Sequence, residues 1–276
     1  MQLQRPFSSL STKRRIKLVV AYDGSQFRGF APQRGQRTVH STLTEAIRQL
    51  SGEDVEMLGA SRTDSGANAR GQVCHFDTEN PMPEERWTKA LNQLLPNDMA
   101  VMSSEHVDDE FHSRFWAVKR YYRYRILTDQ PDPERTRYAF HYNKKQLDLD
   151  AMQAASKHFI GKHDFLAFSQ LLEPWQTSIR ELYEFDVTRV RDEIRIDVVG
   201  SAFVRGMMRR MSGAIWEVGR GVREPDDIER LLLLKEKKKI NWPAVLPACG
   251  LTLMKVYYGR HPRERVRGVN RDLGEE

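Results

Sequence analysis

Cysteine is scarce in this chain of 276 residues, where Cys74 and Cys249 are the two. They form no C-x-x-C pair, which argues against a disulfide scaffold and a cysteine-rich zinc site. Two isolated thiols fit a reducing, cytoplasmic compartment. Long apolar runs are also missing. The longest aliphatic run, Leu231 to Leu234, is closed by Arg230 and Lys235, far short of the about 20 residues of a membrane span. The N-terminus has no apolar stretch of the secretory kind. Other motifs fail on inspection. Gly24-x4-Gly29 is followed by Phe30 and not by lysine, so it is no P-loop. Gly219-Arg220-Gly221 lacks the third glycine and the preceding strand of a dinucleotide fingerprint. The eight histidines contain no H-E-x-x-H. Their closest pair, His158 and His163, is poorly spaced for a ligand set, so no metal is expected. There is no G-x-S-x-G elbow.

What is present is a globular composition, with 39% hydrophobic and 30% charged residues. The net charge of +6 is unevenly spread. Residues 117–125, 201–223 and 260–271 each carry +4, so the rest of the chain sums to −6. Basic segments on an otherwise acidic chain are the footprint of a polyanion partner, or else a set of solvated faces. Residues 1–15 hold Arg5, Lys13, Arg14 and Arg15 and no acid. They are expected to form a short basic arm. Lys235, Lys237, Lys238 and Lys239 fit a phosphate contact or a solvated turn.

Periodicity gives an alternation of strands and helices. Strands are expected at Ile16–Tyr22, Val55–Leu58, Gln72–Phe76, Ala100–His106, Ala117–Leu127, 179–190, 193–200 and Leu251–Tyr258. Helices are expected at 41–51, from Pro83 to about Leu94, at Leu147–Phe159, at 203–218 and at Pro225–Leu234. Strand pairs joined by short turns argue for an α+β fold over a doubly wound sheet. In the helix at 203–218, Val204, Met207, Met208, Met211, Ile215 and Val218 form an apolar stripe suited to the core. Arg205, Arg209, Ser212 and Trp216 form a stripe beside it. Two arginines one turn apart there either snorkel or meet an anion.

One carboxylate has an unusual setting. Asp64 lies in the loop Ser61-Arg62-Thr63-Asp64-Ser65-Gly66, between two expected strands. Such a residue is often a turn-former bonding its own backbone. Beside a guanidinium it is also equipped to act as a nucleophile or an electrostatic stabiliser. Tyr122 shares a strand face with Tyr124 and Arg120, which suits a core tyrosine or a ring on which a nucleobase stacks between cations.

Six segments, in order, resemble the TruA family of tRNA pseudouridine synthases. The first is Tyr22-Asp23-Gly24-Ser25 with Phe27-x-Gly29-Phe30. The second is the Asp64 loop, continued by Ala69-Arg70-Gly71-Gln72-Val73. Ala90-Leu91-Asn92-x-Leu94-Leu95-Pro96 follows. Next is Phe111-His112-x-Arg114-Phe115 with Lys119-Arg120-Tyr121-Tyr122-Arg123-Tyr124. Then come Phe203-Val204-x-x-Met207-Met208-Arg209, Gly213, Glu217-Val218-Gly219-x-Gly221, and Pro247-Ala248-x-Gly250-Leu251. The resemblance spans residues 16 to 258.

The resemblance implies a cofactor-free isomerase that converts uridine to pseudouridine in the anticodon stem-loop of tRNA, at positions 38–40. It implies Asp64 as nucleophile, Tyr122 as the aromatic on the target base and Arg209 as partner of the aspartate. Arg62 is implied in turning the nucleotide out of the stack, and Arg120, Arg205 and Tyr124 stand beside these as candidate substrate contacts. The implied fold is α+β, with two similar halves, mainly antiparallel sheets with helices on one face, and a basic cleft between the halves. The halves are expected at 16–110 and 111–258, with tails at 1–15 and 259–276. The implied assembly is a homodimer with tRNA as partner, no membrane and no small-molecule cofactor. Four positions depart from the family pattern: Ser61 stands for glycine, and Ser65, Ala67 and Asn68 alter Ala-Gly-Val-His. Ser61 is expected to cost backbone freedom, and Asn68 to remove a phosphate or base contact. Another RNA site, a non-catalytic RNA binder and a glycosidase are the competing readings. The last generally wants paired carboxylates, and one stands out here.

Overall fold

The computed structural model describes residues 13–170, 177–234 and 242–259. The lysines at 235–239, most of residues 1–15 and the basic segment 260–271 lie outside them. The elements run β1 (Arg14–Tyr22), α1 (Val39–Ser51), β2 (Leu58–Gly59), β3 (Asn68–Thr78), α2 (Glu84–Leu94), β4 (Met99–Val107) and β5 (Ala117–Leu127). They continue with β6 (Phe140–His141), α3 (Leu149–Ser156), β7 (Gly161–Asp164), β8 (Ile179–Val190), β9 (Glu193–Gly200), α4 (Met207–Gly219), α5 (Asp227–Leu232) and β10 (Leu251–Tyr258). The fold is mixed α and β, with most of its strand pairs antiparallel.

The strands form one ten-stranded sheet, in the order β4-β1-β3-β10-β5-β9-β8-β7, with the short β2 paired to β3 and β6 to β5 off this path. β10 is inserted between β3 and β5. It runs parallel to β3, with Thr252 opposite Asn68, and antiparallel to β5, with Leu253 opposite Tyr122. The last strand therefore joins the two parts of the sequence at the sheet's centre.

Period two decides which side chains turn inward. Ile16, Leu18, Val20 and Tyr22 of β1 are buried, as are Tyr122, Tyr124 and Ile126 of β5 and Ile194, Ile196 and Val198 of β9. Helical residues Val39, Leu43 and Ile47, Trp87 and Leu91, and Met152 join the same core. α1 begins at a capping box, with Thr38 and Ser41 satisfying each other's backbone groups. The methionine stripe of α4 is core: Met207 and Met211 are inaccessible to solvent.

Two sequence expectations need correcting here. The helix predicted from 203 begins at Met207, because Gly206 adopts a left-handed φ of 76° and breaks the run. Arg205 therefore precedes the helix and does not share a stripe with Arg209. Residues 1–15 are expected to form a basic arm, but its last two, Arg14 and Arg15, lie in β1. Arg15 grips Asp77 at 2.6 Å, and Arg14 donates to the carbonyls of Asn80 and Met82.

The sheet also carries cross-strand ion pairs. Arg123 meets Asp197 at 2.7 Å, Arg125 meets Glu193 at 2.6 Å, and Lys17 meets Glu105 at 2.6 Å. Two of the four cations counted in residues 117–125 are thus ion-paired within the fold. Among the described residues, no helix is long and apolar enough to cross a membrane.

Candidate active site

The loop from Ala60 to Ala67 connects β2 to β3 and is anchored at alternate residues. Gln72, wholly buried in β3, holds both backbone groups of Ser61. Its Oε1 accepts the Ser61 N–H at 3.2 Å, and its Nε2 donates to the Ser61 carbonyl at 2.6 Å. The Ser61 hydroxyl meets the Tyr122 hydroxyl at 2.5 Å. Thr63 is held in the same way from β1, its hydroxyl 2.7 Å from that of Tyr22. Arg62, between these two anchored residues, is exposed and has no hydrogen bond or ion pair among the described residues.

The opening motif forms the wall behind this loop. Phe30 donates its N–H to the Thr63 carbonyl at 3.1 Å. Gly29 has φ +88°, and a Cβ there would sit 3.0 Å from the Thr63 oxygen, so a side chain is excluded on both counts. Asp64 caps the following turn through its carbonyl, which accepts the Ala67 N–H at 3.1 Å. Its carboxylate turns the other way, toward α4.

Arg209 lies in the first turn of α4. Its Nη1 is 3.2 Å from Asp64 Oδ2, and its Nε donates to the Leu246 carbonyl at 2.7 Å. The two side chains are 22% and 21% exposed, so the pair is shielded yet reachable from solvent. One guanidinium thus ties together the loop, the helix and the segment entering β10, which the fork geometry of arginine permits.

Tyr122 completes the group from the centre of the sheet. Its ring is 5% exposed and meets Phe203 edge-on at 4.9 Å. Burial pushes its phenol pKa up and the Asp64 charge adds to this, while the Ser61 bond and Arg120 oppose it. The phenol therefore stays protonated near neutral pH and can donate a hydrogen bond.

The structure brings Asp64, Arg209 and Tyr122 together and leaves Arg62 exposed beside them. Arg205 is also exposed. Two other candidates are buried side chains with partners inside the protein. Tyr124 is inaccessible, with its hydroxyl donated to the Pro247 carbonyl at 2.7 Å. Arg120 is buried and donates to the carbonyls of Arg114, Ala117 and Ser201.

Asn68 is 5% exposed; its Oδ1 accepts the Gly24 N–H at 2.8 Å and its Nδ2 donates to the Cys249 carbonyl at 3.0 Å. It is an internal tie between the opening motif and the segment entering β10. Ser61 is not among the positive-φ residues, so its backbone needs no glycine. Sequence reasoning missed Gln72, Asn68 and Leu246 as site supports. The motif Pro247-Ala248-x-Gly250-Leu251 marked the region, but not its contact with Arg209 and Asn68.

The chain is similar to proteins of one named family. A family model described as tRNA pseudouridine synthase matches residues 18–116 and 155–259, stretches that contain Asp64 and Arg209 but not Tyr122. A protein named tRNA pseudouridine synthase A from Bacillus subtilis (strain 168) is 40% identical over 247 residues, covering 88% of this chain and 99% of that one. The protein of the same name from Acetivibrio thermocellus is 36% identical over 245 residues, covering 89% and 100%. Among solved structures, an archaeal box H/ACA sRNP Nop10–Cbf5 complex gives a TM-score of 0.35 at 12% identity, covering 73% of this chain and 44% of that one. That likeness is too low to bear on the fold. The chain is thus an isomerase. It belongs to the tRNA pseudouridine synthase family.

Proposed function

We propose that this protein converts uridine to pseudouridine in the anticodon stem-loop of tRNA, at positions 38–40, with Asp64 as nucleophile and no cofactor. The observation that supports this reading is the Asp64–Arg209 pair, held 3.2 Å apart and partly exposed, in the loop whose Ser61 hydroxyl meets that of Tyr122.

The reaction is an isomerisation. The N1–C1′ bond breaks, the C5–C1′ bond forms, C5 loses a proton and N1 gains one. No electrons are exchanged with a second reactant, so no redox partner is called for. The target uridine leaves the stack to reach the cleft, because its reacting atoms are inaccessible within a duplex. Exposed Arg62 and Arg205 engage phosphate and fix the register of the RNA. Asp64 drives cleavage of the glycosidic bond, by attack on the nucleotide or by assisting glycal formation. Arg209 holds the carboxylate in its working orientation. Tyr122 packs on the detached base and keeps water from it while it rotates. The protein acts as a homodimer in the cytoplasm.

The test uses tRNA transcripts tritiated at C5 of uridine. Wild-type protein is expected to release the label, Asp64→Asn to release none while still binding tRNA, and the modified position to map to 38–40. Absence of release by the wild type across several tRNAs would sink the proposal. Full binding without release would favour the non-catalytic alternative.

A further inference from the structure

The resemblance leads one to expect glycine at position 61, and this chain has a hydroxyl there instead. That hydroxyl is not idle. It lies 2.5 Å from the Tyr122 hydroxyl, between a loop residue and the middle of β5. The Tyr122 ring is 5% exposed, so few other partners can reach its oxygen. The backbone of Ser61 is independently fixed by both ends of the buried Gln72 amide. A rigid anchor therefore presents the hydroxyl, and a rigid strand presents the phenol. A short bond between two fixed supports transmits position well.

The bond also joins two groups with separate tasks. Residues 61 to 64 are consecutive, so whatever holds Ser61 sets where Arg62 and Asp64 stand. Tyr122 supplies the ring against the base. Thr63 is held by Tyr22 in the same manner, at 2.7 Å from the opposite strand. The loop is thus gripped by tyrosine hydroxyls from β1 and β5, but only the β5 grip reaches a residue placed at the base.

We propose that Ser61 is a positioning residue: its hydroxyl latches the Tyr122 ring to the Asp64 loop, so that nucleophile and base platform keep one separation as RNA enters. This rests on the functional reading above. It adds a determinant, particular to a chain with serine at this place, that a glycine would not supply.

A double-mutant cycle on the full-length protein tests it, with single-turnover tritium release and tRNA affinity as readouts. Ser61→Ala is expected to slow release about 3- to 10-fold, the worth of one hydrogen bond, with tRNA affinity unchanged. In the Tyr122→Phe background the same substitution is expected to cost nothing further. Ser61→Thr, which restores a hydroxyl, is expected to recover the rate. Urea unfolding of the same proteins gives a reading that does not depend on turnover. There the double variant should lose less stability than the two single losses combined. Equal losses from Ser61→Ala with and without the Tyr122 hydroxyl, or no loss in either, would overturn the latch. Failure of the wild type to release tritium would instead overturn the functional reading, and the latch with it.

Discussion

Asp64 and Arg209 are separated by 145 positions in sequence, yet Oδ2 and Nη1 stand 3.2 Å apart. The same guanidinium also holds the Leu246 carbonyl at 2.7 Å. The pair is therefore less a local ion pair than a three-way junction. The loop before β3, the start of α4 and the segment leading to β10 meet at one planar group.

That junction predicts an asymmetry between charge and shape. Arg209→Lys keeps the positive charge but cannot reach both partners with one fork. Its turnover is expected to fall about 10- to 100-fold, the value of a charged hydrogen bond lost at the reacting group. tRNA affinity should change little. Turnover near that of the wild type would show that charge alone suffices.

Asn68 gives a prediction about stability. Asn68→Ala leaves the Gly24 N–H and the Cys249 carbonyl without their partner. Orphaning buried polar groups costs about 1–3 kcal/mol each. The urea midpoint is expected to drop accordingly, while tRNA affinity holds. A stable variant with weakened RNA binding would reverse the assignment of Asn68 as an internal tie.

The arginines should divide into two classes when tRNA binding is followed against salt. Arg123 is engaged by Asp197, whereas Arg62 and Arg205 are exposed. Replacing either exposed arginine with glutamine is expected to lower the slope of log affinity on log salt by about 0.7–0.9 per phosphate contact. Arg123→Gln is expected to leave it unchanged. A drop for Arg123→Gln would mean that the ion-pair face of the sheet meets RNA.

Glu193 supplies a pH dependence. Burial works against its carboxylate, but the Arg125 and Arg195 guanidiniums outweigh it and hold its pKa below the ordinary 4.5. Its folded pKa is thus depressed relative to the unfolded chain. The stability it contributes is present above about pH 4.5 and is lost as pH falls below that value. Unfolding midpoints measured from pH 6 down to 3 should fall less steeply in Glu193→Gln than in the wild type. Parallel curves would exclude Glu193 as a source of acid sensitivity.

Much of the fold was legible because it is written locally. β5, β8, β9 and β10 follow from alternation and end where the sequence places them. Val55–Leu58 was less well read, since only Leu58 and Gly59 pair with β3. The segment Phe140–His141 gave no signal, being too short for any period to register. The long basic runs misled in part. A count of charge along the chain cannot see that Arg123 and Arg125 face acids on the neighbouring strand.

The sequence by itself determined the candidate nucleophile, the helix carrying Arg209 and the strand carrying Tyr122, because residue type and spacing are local properties. The tertiary structure alone decided which of these meet. β10, from the end of the described chain, lies between β3, which follows the Asp64 loop, and β5, which carries Tyr122. The tertiary structure also buries Arg120 and Tyr124 among backbone carbonyls distant in sequence. Burial depends on what packs against a face, and no spacing along one strand specifies that.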